Sequence, residues 1–523
     1  MPVATSYPGV YVEEIPSSVH TITGVTTSIA AFVGWADQGP IDYAGLVLSW
    51  ADFQRIYGGF DARSPYLGYA VSQFFINGGQ QAYIVRLAYT GAPAAGLSPA
   101  ASASLVLGGL TFTAGTIGPD GIVANAANPG VWAQSYGIAI KNQTTGTPPR
   151  FRVQVIYSPP GAASPVVVES YENLSITTPD PQGRYVADVI NKQSSFVTVA
   201  VASGTTAPPP DTTLPSPMLA GTPNDDGTVL LPSTNSAAGT EFETVLTAAT
   251  AVLDQIDLFN LLCVPGEIVT ATIGTLEAYC EGRRAFLIAD ADPGITNPSN
   301  VTGPPTTGMN SAFYFPWIQA PDPLNQNRPS YYPPCGFVAG IYARTDATRG
   351  VWKAPAGTEA TLTGSSGVAV QLNDKQNGVL NPLAVNCIRN FSVYGTVVWG
   401  ARTMQGNDEL GSQWKYIPVR RTALFIEESL YRALKWAVFE PNDNPLWAEL
   451  RLNVGSFMQN LFVQGAFQGL TPADAYFVKC DDETTTQNDI NLGIVNILVG
   501  FAPLQPAEFV VIQIQQMAGQ IAT

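Results

Sequence analysis

Charge is what this chain has least of. Only 12% of its 523 residues are charged, about half of the ~25% common in soluble domains. A free monomer relies on dense, mixed surface charge for solubility, so much of this surface is expected to be covered by partners, or else to be the uncharged Gly/Ser/Thr surface of a secreted β protein. The charge present is lopsided, with 24 basic against 40 acidic residues and a net −16. That argues against a nucleic-acid binder, which needs basic patches for phosphate.

Histidine is nearly absent. His20 stands alone, so a Ser-His-Asp or Cys-His mechanism, or a multi-histidine metal site, would have to use that one residue; it reads as a solvated loop residue. No two glycines are separated by a single residue and no lysine follows a glycine, which removes the GxGxxG and GK[ST] phosphate loops. Cys263, Cys280, Cys335, Cys387 and Cys480 form no CxxC pair and read as reduced buried thiols. The first basic residue is Arg55, so a charged signal-peptide start is missing, and no apolar run reaches the ~20 residues of a membrane span. The expectation is a chain that folds in the cytoplasm and does not insert into membranes.

Acidic pairs are present: Glu13-Glu14, Asp225-Asp226, Asp290/Asp292, Glu427-Glu428 and Asp481-Asp482-Glu483. A glycosidase or hard-metal site uses two carboxylates, but solvated turns and helix faces account for such pairs more simply. Asp290-Ala-Asp292-Pro-Gly294 opens like a calcium loop, and the proline at its fourth position and Val301 at its twelfth break that pattern. No catalytic, cofactor or metal residue is assigned.

Along the chain, residues 1–26 read as an extended arm with a short β run at Val10 to Glu13. Strand 28–34, helices 49–57 and 65–77 and strand 82–88 follow. From about 91 to 239, Pro, Gly, Ser and Thr dominate and short strands recur, which predicts a mostly β insertion, exposed and separable. Helix and strand alternate again from Thr240: helix 241–256, strand 258–264, helix 269–283, strands 285–289 and 312–318, helix 334–345. The last third holds amphipathic helices 419–439 and 445–462, then strands 475–480, 490–501 and 508–515. The fold class is α/β (α+β), a mixed sheet flanked by helices. Boundaries are expected at 27–90 and 240–375 for the core, 376–505 for a C-terminal domain and 506–523 for a terminal arm.

Several segments resemble contractile tail sheath proteins. They are Tyr7-Pro-Gly-Val-Tyr-Val-Glu-Glu-Ile15, Ser28 to Gly34, Phe74 to Gly79 leading to Ala82 to Arg86, Gly350 to Gly357, Leu380 to Pro382, Asn386 to Asn390, Trp399 to Thr403 and Tyr416 to Arg421. The resemblance spans about 1–90 and 240–523; the insertion matches no shared pattern, and in the family such insertions vary and decorate the outside.

The resemblance implies a non-enzymatic structural subunit that stacks as hexameric rings around an inner tail tube, on a baseplate and under a tail terminator, in a virion tail or injection particle. Contraction then drives the tube through a target envelope. Arms are lent to neighbouring copies by β-augmentation; the matching positions here are Val10, Tyr11, Val12 and Glu13, and Phe509, Val510, Val511, Ile512, Gln513 and Ile514. Linkers at Pro16 to Thr27 and Pro503 to Pro506 are expected to flex. Tube contact is expected in the C-terminal domain at Arg420, Arg421, Arg432 and Lys435, unless these merely solvate a helix face or pair with Glu427 and Glu428. The competing reading is a β-rich tail fibre that binds or depolymerises carbohydrate; the α/β alternation on both sides of the insertion speaks against it.

Overall fold

The computed structural model describes residues 20–94, 96–116, 126–144, 148–159, 164–213, 218–221 and 225–513. It divides into two compact units: 27–349 with 354–417, and 1–26 with 350–353 and 418–523.

The larger unit begins with β1 (Ala30–Trp35), β2 (Gly45–Val47), α1 (Trp50–Tyr57), α2 (Leu67–Ile76) and β3 (Ala82–Leu87). Two small sheets come next. One contains β4 (Ser104–Leu107), β5 (Leu110–Thr116) and β9 (Val197–Val201); the other contains β6 (Tyr136–Thr144), β7 (Arg150–Tyr157) and β8 (Val166–Leu174), with α3 (Val186–Gln193) between β8 and β9. The chain then alternates through α4 (Glu241–Leu253), β10 (Leu261–Cys263), α5 (Thr270–Arg283), β11 (Phe286–Asp290), β12 (Ser311–Phe315) and α6 (Cys335–Arg349), and ends the unit with β13 (Val385–Phe391) and β14 (Gly395–Val398).

Eight of these strands form one sheet in the order β14-β13-β12-β11-β10-β1-β3-β2. Its ladders are parallel except at the two edges, where β2 and β14 run antiparallel to their neighbours. Helices cover both faces, so a central strand reads as an unbroken apolar run, and every residue of β1 is buried. Alternate residues serve opposite layers. Ala31, Val33 and Trp35 join the cluster built with Phe242, Leu246, Ile273 and Leu276 of α4 and α5. Phe32 meets Phe74 of α2 edge-on at 5.4 Å, and the Tyr314 and Tyr342 hydroxyls touch at 2.7 Å under α6. Helices α2 and α6 pack closely because Gly336 and Gly340 carry no side chain: a Cβ would stand 2.4 Å from the Ala70 carbonyl oxygen and 2.7 Å from that of Phe74.

The segment between β3 and α4 has an apolar core of its own, including Phe112, Ile138, Phe151, Val153, Ile190 and Val199. Polar contacts tie it to the sheet-bearing part of the same unit. Arg86, 1% exposed at the end of β3, donates to the carbonyls of Ala36 (2.7 Å), Gly39 (2.7 Å), Asp37 (3.0 Å) and, from the inserted segment, Pro129 (2.8 Å). The Gly39 N–H donates to Asn128 Oδ1 at 2.8 Å, and Arg63 bridges Asp61 and Asp226, each at 2.6 Å. Burial and the nearby Asp61 push the Asp37 carboxyl up to about 6.

Residues 376–417, expected to open the C-terminal domain, lie in the sheet-bearing unit because β13 and β14 complete its large sheet. The smaller unit is built on α7 (Ile417–Ala433) and α8 (Asn444–Val463), followed by β15 (Tyr476–Lys479) and β16 (Leu498–Phe501). Asp443 caps α8, accepting from the Leu446 N–H, and Pro445 sits in its first turn. The helix expected to run to Phe439 stops at Ala433, and a 3-10 turn at Lys435–Ala437 leads to Phe439, whose φ is +73°. A bulky residue in the left-handed region cannot continue a helix, and Pro441 follows.

Candidate assembly surfaces

The terminal arms are the first candidates. Val10, Tyr11, Val12 and Glu13 lie outside the described residues, as does Ile514. Phe509, Val510, Val511 and Ile512 are described, belong to no strand and are 77–82% exposed; Gln513 is exposed beside them. Of the strand expected over 508–515, Phe509 to Gln513 form no ladder among the described residues, and four consecutive apolar side chains face water. Water-facing runs of this kind mark interaction sites.

A candidate acceptor lies in the same unit. Strands β15 and β16 pair antiparallel from Tyr476–Phe501 to Lys479–Leu498 and form a sheet of two strands. A lone pair is marginal in water. It is supported from one side by Phe467 against Phe501 (ring centroids 5.6 Å) and by the Tyr476 hydroxyl on Gln459 (2.8 Å), while Phe477 and Leu498 stay more than half exposed. The strand expected over 490–501 is reduced to 498–501, because Thr486 and Asp489 form a capping box that starts a helical turn at Gln487–Asn491.

The cationic set does not form one surface. Arg420 and Arg421 are 6% and 4% exposed: they sit in the first turns of α7 facing inward, and Arg420 reaches Glu427 at 3.1 Å. Arg432 is half-buried and pairs with Glu428 at 2.6 Å, which leaves Lys435 exposed, its ammonium 5.4 Å above the Tyr431 ring. Around it, Tyr431, Val438 and Phe439 are 56%, 62% and 101% exposed. The Phe439 corner is held firmly, since Asn442 accepts from Trp447 Nε1 (2.9 Å) and donates to the Ile494 carbonyl (3.0 Å). The sequence offered one signal for this corner: an aromatic residue directly before Glu440-Pro441-Asn442-Asp443.

Several members of the acidic pairs are tied into the fold. Asp290, 1% exposed, accepts from the Gly266 and Cys335 N–H groups, and burial pushes it up to about 6. Glu267 accepts from Val269 N–H at 2.6 Å; burial, with the Glu243 carboxylate adding to it, pushes it up to about 8. Asp225, Asp226 and Glu428 are likewise buried rather than solvated. Among the described residues no group of three His, Cys, Asp or Glu side chains could hold a metal ion. The five cysteines are buried and unpaired.

The segments that carried the resemblance also have structural work. Asn386 donates to the Phe313 and Arg402 carbonyls (3.2 and 2.7 Å) and accepts from Arg402 N–H (2.7 Å). Gly400 is required there, since a Cβ would stand 2.7 Å from Asn386 Cα. Arg402 reaches Asp408 at 2.9 Å, and Lys415 meets the same carboxylate.

Two family descriptions match the chain: the phage tail sheath protein central domain over residues 244–404, and the phage tail sheath C-terminal domain over 409–517. Together they cover just over half of it. The chain belongs to the phage tail sheath family. A putative prophage major tail sheath protein of Pseudomonas aeruginosa is 26% identical over 270 residues, 50% of this chain and 67% of the relative. The tail sheath protein of Vibrio phage KVP40 is 26% identical over 157 residues, 30% of this chain and only 22% of that longer protein. Among solved structures, the helical sheath of the anti-feeding prophage in its contracted state superposes with a TM-score of 0.56 at 25% identity, covering 98% of this chain and 100% of that one. The PVC sheath complex of an extracellular contractile injection system, also contracted, gives 0.57 at 23%, covering 98% and 99%. As a family member the protein is a structural subunit of a contractile sheath, and the mixed α/β fold expected from the sequence is the one observed.

Proposed function

We propose that copies of this chain stack as hexameric rings around an inner tail tube, between a baseplate and a terminator, after assembly in the producing cell's cytoplasm. The sleeve then shortens and drives the tube through a target envelope. The observation that carries this reading is the conjunction in one compact unit of an exposed apolar terminus, Phe509 to Ile512, with a two-stranded sheet, β15–β16, that no other described strand extends. An extended segment from one copy adding to that sheet in the next makes a head-to-tail contact that does not close on itself, and repetition of such a contact builds a helix. Backbone ladders can hold copies together while the packing of the larger units changes.

Tube contact falls to the Lys435 corner of α7 rather than to Arg420 and Arg421, whose burial removes them from any surface of the single chain. Lys435 supplies charge and Val438 and Phe439 supply apolar area, a combination suited to an acidic wall with an apolar notch. Negative-stain microscopy of the chain expressed with and without the tube protein of its own locus tests the assembly reading. Hollow striated sleeves are expected; persistent monomers or small oligomers under both conditions would refute it.

A further inference from the structure

The stretch Pro16 to Thr27 reads from sequence as a linker that flexes. His20 to Val25 is instead laid down along α7 and α8, with Ile22 turned inward between exposed neighbours. His20 stacks on Trp436, ring centroids 4.2 Å apart and planes 19° from parallel, with Nε2 3.6 Å from Glu449 Oε1. Ile22, 6% exposed, enters the cluster of Ile426, Val454, Phe457 and Met458. Gly24 faces the Phe425 ring, where a Cβ would stand at 2.7 Å. Thr21 and Thr23 between them are exposed, and the Val25 N–H donates to Ser429 Oγ at 3.1 Å. The contacts at positions 20, 22 and 24 follow the two-residue spacing of an extended chain, with a ring that stacks at the surface, an aliphatic branch in the core, and an exposed glycine beside the Phe425 ring.

We propose that His20 to Val25 is a strap that stays fastened to α7 and α8 while the sheath assembles and contracts, so that none of the flexing needed at the root of the N-terminal arm falls on these six residues. The inference rests on the arm reading above. It adds that the strap, rather than the whole of Pro16 to Thr27, sets how much chain is free to follow a moving neighbour. Each fastening is weak alone, but burial of an isoleucine, an aromatic stack and a side-chain hydrogen bond act on one short segment.

Amide hydrogen exchange at Val25 tests it, measured in the full-length subunit and in sleeves before and after contraction. A rate at least tenfold slower than that of an unstructured peptide is expected in all three, and a peptide-like rate in any of them overturns the strap. Ile22→Asp is expected to speed Val25 exchange at least tenfold while amides of β1 and β3 keep their rates; an unchanged Val25 rate would show that Ile22 fastens nothing. Should that variant fail to fold, Gly24→Val makes the same comparison through the Phe425 contact. Absence of sleeves by microscopy counts against the assembly reading, whereas the strap is judged by the subunit's own exchange.

Discussion

Two buried side chains make sharp predictions. The Arg86 guanidinium satisfies four carbonyls, and burial pushes it down to about 10 against the pull of the Asp37 and Asp226 carboxylates. Arg86→Ala strands those acceptors and is expected to cost roughly 3–5 kcal/mol, read as a fall in the melting transition of the larger unit; a loss under about 1 kcal/mol would mean that water replaces the guanidinium. Glu267 works through pH. Its carboxyl, ordinarily near 4.5, is pushed up to about 8 by burial, so the native state holds its proton more tightly than the unfolded chain does. Its contribution to stability is therefore full below about pH 4.5 and declines as pH rises to about 8, by at most about 1.4 kcal/mol per pH unit. Glu267→Gln removes that decline. Its melting temperature is expected to gain on the wild type between pH 5.5 and 8, and a constant difference would refute the assignment.

At the scale of elements, α4 rests on a capping box in which Thr240 and Glu243 answer each other's backbone. Thr240→Ala is expected to cost about 1 kcal/mol, measurable by denaturant titration. The Lys435 corner offers a functional counterpart: Lys435→Glu and Phe439→Ala should weaken co-assembly with tube while leaving the melting temperature within a degree or two, since both side chains are exposed. Loss of fold in either would sink the idea. Much at this scale was legible in the sequence. Apolar runs bounded by turn residues located β1, β3 and β11 to within two residues, and helical periodicity located α5 and α8. What periodicity could not report is which polar residue faces inward. Arg420 and Arg421 look like surface cations in sequence, yet the start of α7 turns both into the protein. Strand propensity failed over 490–497, where Thr486 and Asp489 bond locally and begin a helical turn instead. Phe509 to Gln513 belong to no strand among the described residues, and the ladder expected for this segment is one lent to a neighbouring copy.

For the whole molecule, the chain's few charges and its exposed apolar terminus point the same way, toward surfaces completed by other copies. Deleting residues 508–523 should leave both units folded, with an unchanged circular-dichroism spectrum, and abolish polymerisation in sedimentation; normal sleeves from the truncated chain would refute the arm reading. The large sheet was recoverable as a class but not as an order. Nothing local announces that β10 pairs beside β1 across the whole inserted segment, since that pairing is settled by helices packing on both faces at once.

The hub at Arg86 also bears on how this chain could diversify. Closing a longer loop costs only about 0.6 kcal/mol for each doubling of its length, so a segment with its own apolar core between β3 and α4 is thermodynamically cheap to exchange for another of different size. A replacement would need to reproduce little: one carbonyl where Pro129 answers Arg86, one side-chain acceptor where Asn128 takes the Gly39 N–H, and one carboxylate where Asp226 meets Arg63. A lineage could therefore change its exterior repeatedly while the sheet, the strap and the acceptor strands stay as they are.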